Sequence, residues 1–469
     1  MIRVFKHHIS GLSIAFGLIE ALLFLTVVGL LWEYRIDEVL KNTEGPLVFI
    51  YAGIFLFVIF ISIFASLGLY NKDVITNRRV MFFRLAVGLS AVTITLFAIG
   101  YLYVTTAPLT QYPRPLDVAL GFSVLVGVLL ITRWTFALVS DGRFFREKVV
   151  ILGAGSRAAK LRRMIAADAA PRYDIVRCIA LDDEPSEVEH TARISRSSSD
   201  ADGLMGLLFQ GDVDEVVVCP DNRRGLPVDA LLRCKMSGIR VSEPLAFMER
   251  ELGRVNPDDL QASWLVFSDG FNFSAFGDAT KRAFDLLLSV IFLLFTLPLT
   301  VTAAIVVKLD SPGPIFYRQE RTGLHGKPFM LFKFRSMRTD AEADGPRWAA
   351  QNDSRITRSG SFLRKTRIDE IPQILNVLRG EMSFVGPRPE RPVFVTSLAE
   401  QIPYYHERHC AKPGITGWAQ INYPYGASVE DAKEKLSYDL YYVKNRSLFL
   451  DIIIILQTVR VIFWPAGVR

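Results

Sequence analysis

Histidine and cysteine are scarce, six and four in 469 residues. Cys178, Cys219, Cys234 and Cys410 never form a Cys-x-x-C pair. A disulfide framework is therefore not expected, and reduced cytoplasmic thiols are. His406, His409 and Cys410 could share a helical face, but the spacing is not His-Glu-x-x-His, so core or surface positions are expected in place of zinc. Internal repeats are lacking, and low complexity is confined to Arg196–Ser199. The first apolar stretch is long and has no small-residue cleavage site, so it is expected to remain as an anchor.

What is present is mixed. Half the residues are hydrophobic and 22% are charged, with a mean hydropathy of +0.27. That is wrong for a pure membrane bundle and for a soluble protein, and the length calls for two or three folding units. A net charge of +6 and a pI near 9.0 suit nucleic acid, anionic lipid or a phosphorylated substrate. Membrane segments favour the last two, so no nucleic acid partner is expected.

Apolar segments run at Ile9–Trp32, Pro46–Tyr70, Met81–Thr105 and Leu116–Val139, each near or above the ~20 residues that cross a bilayer. Arg3 and Lys6 precede the first. Lys72, Arg78, Arg79 and Arg84 follow the second, and Arg143, Arg146 and Lys148 follow the fourth. The other loops hold only Arg35, Lys41 and Arg114. Excess Lys and Arg stay on the cytoplasmic side, so both ends of this bundle are expected there.

From Glu147 the pattern becomes soluble α/β. Strands are expected at Lys148–Leu152, Asp174–Leu181, Glu215–Cys219 and Ile239–Val241, forming a small doubly wound sheet. Gly153, Gly155 and Ala158 follow the first strand, and Asp182 ends the second, in the arrangement of a dinucleotide fingerprint. A membrane-attached NAD-dependent dehydratase or epimerase is therefore one alternative. Against it, the only tyrosine here, Tyr173, has Arg177 where a Tyr-x-x-x-Lys pair needs lysine. A regulatory or packing module is the plainer reading, with nucleotide binding left open.

A connector, Glu249–Phe276, leads to Lys281-Arg282 and the apolar run Ala283–Val307. A full span would export the Lys- and Arg-rich remainder, which translocates poorly. Pro298 removes a backbone donor inside the run. A helix broken there can enter one leaflet and return, provided neighbouring groups satisfy its freed carbonyl. Re-entry is thus favoured over a kinked spanning helix. Asp285 within the run needs a partner, for which Arg282 is the candidate. The chain closes on an amphipathic stretch, Leu448–Trp464, and Tyr438, Tyr441 and Tyr442 before it read as packing or membrane-interface contacts.

The densest chemical signal is Arg364–Gln373. Thr366 with Asp369 three residues on resembles a helix-start cap, and Gly380 supplies a stop. Asp369 and Glu370 then lie in the first turn, pointing about 100° apart, so one carboxylate can face a phosphorus atom while the other holds a metal. An isolated Asp-Glu pair is usually a cap beside a solvated side chain. Here Lys333, Arg335, Arg338, Arg355, Arg358, Arg364, Arg367 and Arg388 surround it in sequence, as attack on an anionic diphosphate requires.

Several stretches carry a resemblance. They are Lys281–Asp285, Ser311–Phe316, Gln319–Gly323, Lys333–Met337, Arg367–Gln373, Asn376–Pro389 and Lys412–Gln420. In this order they resemble the catalytic domain of the monotopic phosphoglycosyl transferases, bacterial sugar transferases that start glycan chains on undecaprenyl phosphate. The whole chain is similar to the family's long members. The resemblance implies a multi-domain membrane protein: a four-helix transmembrane bundle over 1–140, a Rossmann-like α/β domain over 147–248 and a linker over 249–278. An α-rich catalytic domain over 279–469 follows, with a re-entrant membrane helix over 283–307.

By the same resemblance, Asp369 attacks the β-phosphorus of a UDP-sugar, UMP leaves, and undecaprenyl phosphate takes the phosphosugar. Glu370 holds Mg²⁺, while Lys333, Arg335, Arg364, Arg367 and Arg388 bind phosphate. Pro298 matches the family's helix-breaking proline, although Leu297 stands where relatives often have Ser. The implied place is the bacterial inner membrane, catalytic side to the cytoplasm, in the first membrane step of exopolysaccharide or related glycan synthesis. A homo-oligomer is compatible with the sequence but not required by it. A non-catalytic membrane scaffold is the third alternative, and the intact Asp369-Glu370 pair argues against it.

Overall fold

The computed structural model describes residues 2–4, 7–9, 46–69, 78–106, 147–166, 173–181, 185–189, 192–194, 213–224, 226–271, 274–341, 354–424 and 428–463, with single residues and short stretches within 17–26 and 123–135, and residues 206 and 426. There are two compact units, the first of Met1–Ile2 and Ile9–Glu251, the second of Arg3–His8 and Leu252–Arg469.

In the first unit, α1 (Pro46–Ser66) and α2 (Arg78–Thr106) cover the second and third apolar segments. Phe60, Phe64, Leu67, Met81 and Leu85 are buried here. Gly88 gives α1 room, since a Cβ on it would lie 3.0 Å from both Phe64 and Leu67. The first and fourth apolar segments fall largely outside the described residues. One pair from them is placed: Arg133 Nε donates to Glu20 Oε1 at 2.8 Å and Arg133 Nη2 to Oε2 at 3.0 Å, both side chains fully buried.

Five parallel strands follow in the order β3-β2-β1-β4-β5: β1 (Glu147–Leu152), β2 (Tyr173–Leu181), β3 (Ala192–Ile194), β4 (Glu215–Val218) and β5 (Arg240–Ser242). Helices α3 (Ser156–Ala166), α4 (Val228–Met236) and α5 (Pro244–Leu252) accompany them. Strands buried on both faces read as apolar runs, and Val150, Leu152, Ile179, Leu181 and Val216 form the core. Strand β3 was not expected: three residues among polar neighbours carry no periodic signal.

The second unit opens with α6 (Ala275–Asp310), capped by Ser274 Oγ, which accepts from Gly277 N. It runs as one helix through Pro298, where a break had been expected. Thr296, Thr300 and Thr302 donate their hydroxyls to carbonyls four residues back, a pattern that tends to bend helices. Among the described residues it is the one helix long and apolar enough to cross a membrane, and only 11% of its most apolar window is buried.

Beyond it lie a hairpin of β6 (Phe316–Thr322) and β7 (Pro328–Phe334), α7 (Arg358–Lys365), a 3₁₀ turn (Ile368–Gln373) and α8 (Ile374–Arg379). Next come β8 (Ser383–Val385), α9 (Pro392–Gln401), a second 3₁₀ turn (Tyr405–Cys410), β9 (Gly414–Thr416), α10 (Val429–Asn445) and α11 (Leu448–Phe463). Strands β8 and β9 pair in parallel.

Both ends of α6 are tied to the same run of chain. Arg282 donates to Val377 O at 2.5 Å and Leu378 O at 2.7 Å, satisfying carbonyls at the end of α8. At the other end Ala303 and Val307 pack with Phe334 and Leu363. Asp285 is not partnered by Arg282: its Oδ1 accepts from Ser383 Oγ at 2.9 Å and Phe384 N at 3.1 Å. The guanidinium is drawn away because α8 ends with unsatisfied carbonyls, and β8 presents its own donors to the carboxylate. Lys281 Nζ reaches Asp451 Oδ2 of α11 at 2.6 Å.

Candidate active site

Thr366 does not begin the turn that bears Asp369 and Glu370. It closes α7, with its N–H and Oγ1 both donating to Phe362 O, at 3.0 and 2.8 Å. Arg367 then takes a left-handed conformation, φ 59°, and the 3₁₀ turn starts there, Glu370 N donating to Arg367 O. Thr366 keeps a right-handed helical backbone (φ −92°, ψ −2°) as the end of α7, whereas a capping residue has a non-helical one, so the start shifts by one residue. Asp369 and Glu370 do sit in the first turn, and Gly380 ends α8 at φ 83°.

The two carboxylates differ sharply. Glu370 Oε1 lies 2.9 Å from Arg388 Nη2, 3.2 Å from Lys333 Nζ and 3.7 Å from Arg367 Nη1. Burial alone would raise the Glu370 pKa, but these cations hold it well below the usual carboxylate range. Asp369 is only 7% exposed, and its Oδ1 is buried without a hydrogen-bond partner. Its pKa is pushed up, first by burial and then by the charge on Glu370, against the pull of Lys333, Arg367 and Arg364. A buried, unpaired carboxylate oxygen is costly unless something else satisfies it.

Lys333 is delivered by the hairpin. Asn376, fully buried on α8, accepts from Phe332 N at 3.1 Å and donates to Met330 O at 2.7 Å. This clip fixes the β7 register against the Asp369-Glu370 turn. Asn376 had no assigned role in the sequence, and its only signal was membership of a motif stretch.

Arg335 does not join the cluster. Its guanidinium donates to Ser311 O at 2.7 Å, Ser311 Oγ at 2.9 Å and Pro312 O at 3.0 Å, where the chain leaves α6. Carbonyls past a helix end need donors, and Arg335 is the one within reach. Arg338 pairs with Asp340, and Arg355 donates to Ala341 O. Of the proposed phosphate-binding set, Lys333, Arg367 and Arg388 converge on Glu370, and Arg364 contributes its charge to Asp369.

Elsewhere, His406 and His409 lie with ring centroids 6.2 Å apart. Among the described residues no group of three or more His, Cys, Asp or Glu is arranged to hold a metal. None of the four cysteines forms a disulfide. Tyr441 and Tyr442 are buried, and Tyr442 donates to Val385 O.

In the middle domain Gly153 has φ 128°, and a Cβ there would stand 2.4 Å from Cys219 O, so only glycine fits this turn. Gly155 is buried, and Asp182 lies outside the described residues. The start of α3, where a pyrophosphate would bind, already holds a carboxylate. Asp221 accepts from Ser156 N and Arg157 N, both at 2.9 Å, and from Ser156 Oγ at 3.0 Å.

Residues 276–465 match the family described as Bacterial sugar transferase. The UDP-N-acetylgalactosamine-undecaprenyl-phosphate N-acetylgalactosaminephosphotransferase of Aeromonas hydrophila is 41% identical over 239 residues, 51% of this chain and 56% of that protein. The UDP-glucose:undecaprenyl-phosphate glucose-1-phosphate transferase of Xanthomonas campestris pv. campestris is 50% identical over 186 residues, 39% of this chain and 38% of that one. The exopolysaccharide production protein PSS of Rhizobium leguminosarum bv. phaseoli is 44% identical over 185 residues, and the match covers 92% of it. The chain belongs to the bacterial sugar transferase family. The match over 276–465 holds α6 apart from its first residue, the hairpin and the Asp369-Glu370 turn, so the sugar transferase assignment rests on the second unit. The chain spans little more than half, or less, of the length of the first two relatives.

Proposed function

We propose that this protein transfers a sugar 1-phosphate from a UDP-sugar to undecaprenyl phosphate, giving undecaprenyl-diphosphate-sugar and UMP, as the opening membrane step of exopolysaccharide or related glycan synthesis. The observation that carries this reading is the asymmetry of the pair: Glu370 engaged by Lys333 and Arg388, and Asp369 Oδ1 buried with no partner. A carboxylate with an unpaired oxygen and a raised pKa is a better nucleophile than one held by cations.

In the first step an Asp369 oxygen forms a bond to the β-phosphorus, and the bond to the bridging oxygen breaks, its electrons leaving with UMP. In the second, a phosphate oxygen of the lipid attacks the same phosphorus and Asp369 is released. Lys333, Arg364, Arg367 and Arg388 screen the repulsion between anions in both steps. Two steps let the soluble donor depart before the long acceptor docks.

The donor set suits Mg²⁺ only as an ion shared with substrate. One or two carboxylates plus phosphate oxygens is its usual environment, and no all-protein cage is present among the described residues. Glu370 would hold it, and when bound it supplies charge neutralisation at the diphosphate.

The site belongs near the headgroup plane of the bacterial inner membrane, facing the cytoplasm. Supporting this, both ends of α6 dock on the segment from Leu363 to Leu378, while exposed Leu287, Leu294, Phe295 and Leu297 lie between them. A straight helix would hold Arg282 and Val307 ~38 Å apart. A bend at Pro298 lets α6 enter the bilayer and return, with α11 fixing the depth. Asp221 at the Gly-rich turn speaks against the dinucleotide-dependent alternative.

The test is UMP release in detergent with Mg²⁺, from UDP-glucose and UDP-N-acetylgalactosamine first, comparing wild type with Asp369→Asn. Release by wild type together with a phosphosugar adduct on the Asp369 peptide is expected. Steady release by the variant would remove Asp369 from its role. NAD reduction without UMP release would favour the dehydratase class.

A further inference from the structure

The Arg388 guanidinium sits on Glu370, but the loop that bears it has little means of holding itself. Pro387 and Pro389 lack N–H groups and Pro392 follows, so the segment Gly386–Arg391 has few amide donors for local turns. Every donor comes from outside it. Gly414 N donates to Pro387 O at 3.0 Å, and Thr322 N donates to Glu390 O at 2.8 Å. The two carbonyls between them are held by arginine side chains: Arg408 Nη2 donates to Arg388 O at 3.0 Å, and Arg321 Nη1 donates to Pro389 O at 2.9 Å.

Arg408 is itself locked. Its Nη2 lies 2.7 Å from Asp439 Oδ2 on α10, its Nη1 donates to Tyr405 Oη at 2.8 Å, and both charged side chains are almost fully buried. A buried arginine pair is weak as a source of net stability, because desolvation offsets attraction. It is effective at fixing direction, because the guanidinium fork presents several donors in one rigid plane. Here Nη1 is held by a phenol, while Nη2 meets the Asp439 carboxylate as an ion pair and donates to the carbonyl of the residue whose side chain serves the proposed site.

We infer that Arg408, oriented by Asp439, is a positioning residue that holds the Arg388 main chain so that the Arg388 guanidinium stays on Glu370. Neither Arg408 nor Asp439 faces the Asp369-Glu370 pair directly; the effect passes through the Pro-Arg-Pro loop. Asp439 also faces Glu390 of that loop, Tyr405 beneath it and Lys435 on its own helix. Burial raises the Asp439 carboxyl to about 6, against the pull of Arg408. Below that pH Asp439 takes up a proton, Arg408 loses its counter-charge, and the loop loosens.

This rests on the proposed reaction for its kinetic consequence, but its first test does not need turnover. In full-length protein in detergent, amide hydrogen exchange across Gly386–Arg391 is compared among wild type, Asp439→Asn and the apolar pair Arg408→Met with Asp439→Leu. The apolar pair keeps volume and removes both buried charges, so the fold is retained while the grip is lost. Exchange of the loop is expected to rise roughly tenfold in both variants, with β1 of the other unit unchanged. In the UMP assay kcat falls about tenfold with KM within about twofold, and the wild-type acid limb near pH 6 disappears in Asp439→Asn. Wild-type loop exchange in the apolar pair overturns the inference. If wild type releases no UMP, the proposed reaction fails, and loop exchange still decides this one.

Discussion

Arg388 Nη2 lies 2.9 Å from Glu370 Oε1, and the adjacent Asp369 Oδ1 has no partner at all. Two consecutive acids thus occupy opposite electrostatic states. Glu370→Gln removes the charge that holds Lys333 and Arg388, which then turn toward Asp369, and it removes the proposed metal oxygen. The Mg²⁺ concentration for half-maximal UMP release is expected to rise by about tenfold or more. An unchanged Mg²⁺ titration would take Glu370 out of the metal site.

Lys333 and Arg335 are two residues apart on one strand end but do different work. Lys333→Met is expected to lower kcat roughly 100-fold with little change in Tm, because it loses charge at the diphosphate. Arg335→Met is expected to cost about 2–4 kcal/mol in stability, since it strips donors from Ser311 O and Pro312 O. Thermal unfolding alongside UMP release separates the two, and a reversal of that pattern would show the assignment inverted.

Glu20 and Arg133 are fully buried in a bidentate pair within otherwise apolar segments. Arg133→Met removes the guanidinium that meets both Glu20 oxygens and is expected to destabilise the first unit by about 3–5 kcal/mol. Glu20→Leu added to it restores most of the loss. Urea or thermal unfolding in detergent reads both. A mild single variant and an unhelped double variant would contradict the pairing.

His409 is held neutral. Burial first, then the charges of Arg408 and His406, push its imidazole down to about 3 from an ordinary 6.5. The unfolded chain takes up a proton there below 6.5, whereas the folded one does not. The stability this group supplies above pH 6.5 is therefore lost as pH falls toward 3, by about 2 kcal/mol at pH 5. His409→Asn, which does not titrate, is expected to show a shallower stability loss between pH 8 and pH 5. Parallel curves for the two proteins would refute the depressed pKa.

Asp221 fills the anion position at the start of α3. The full chain is expected not to bind NAD⁺ measurably by calorimetry, despite Gly153 and Gly155. Binding at micromolar concentration that Asp221→Ala leaves unchanged would reopen the dinucleotide reading.

Much of the catalytic region is legible in one dimension because its chemistry is local. Asp369 and Glu370 are adjacent, Gly380 must close α8 at positive φ, and α6 announces itself by an apolar run interrupted by Pro298. The middle sheet is legible too, since strands buried on both faces must be apolar throughout. The unseen parts involve partners distant in sequence. Asp285, expected with Arg282, meets Ser383; Arg335, expected on phosphate, meets Ser311; and Arg408 meets Asp439, a pair that no spacing in the sequence joins.

The sequence by itself determined which residue types stand together and in what order: the acid pair, its cations, the fingerprint glycines and the apolar segments. Only the tertiary structure decided which cations face which acid, that Arg335 serves a helix end, and that Asp221 caps the start of α3. The reason is physical. Covalent adjacency and periodicity act over a few residues, whereas burial strengthens charge pairing and removes water's competition only once distant segments have packed.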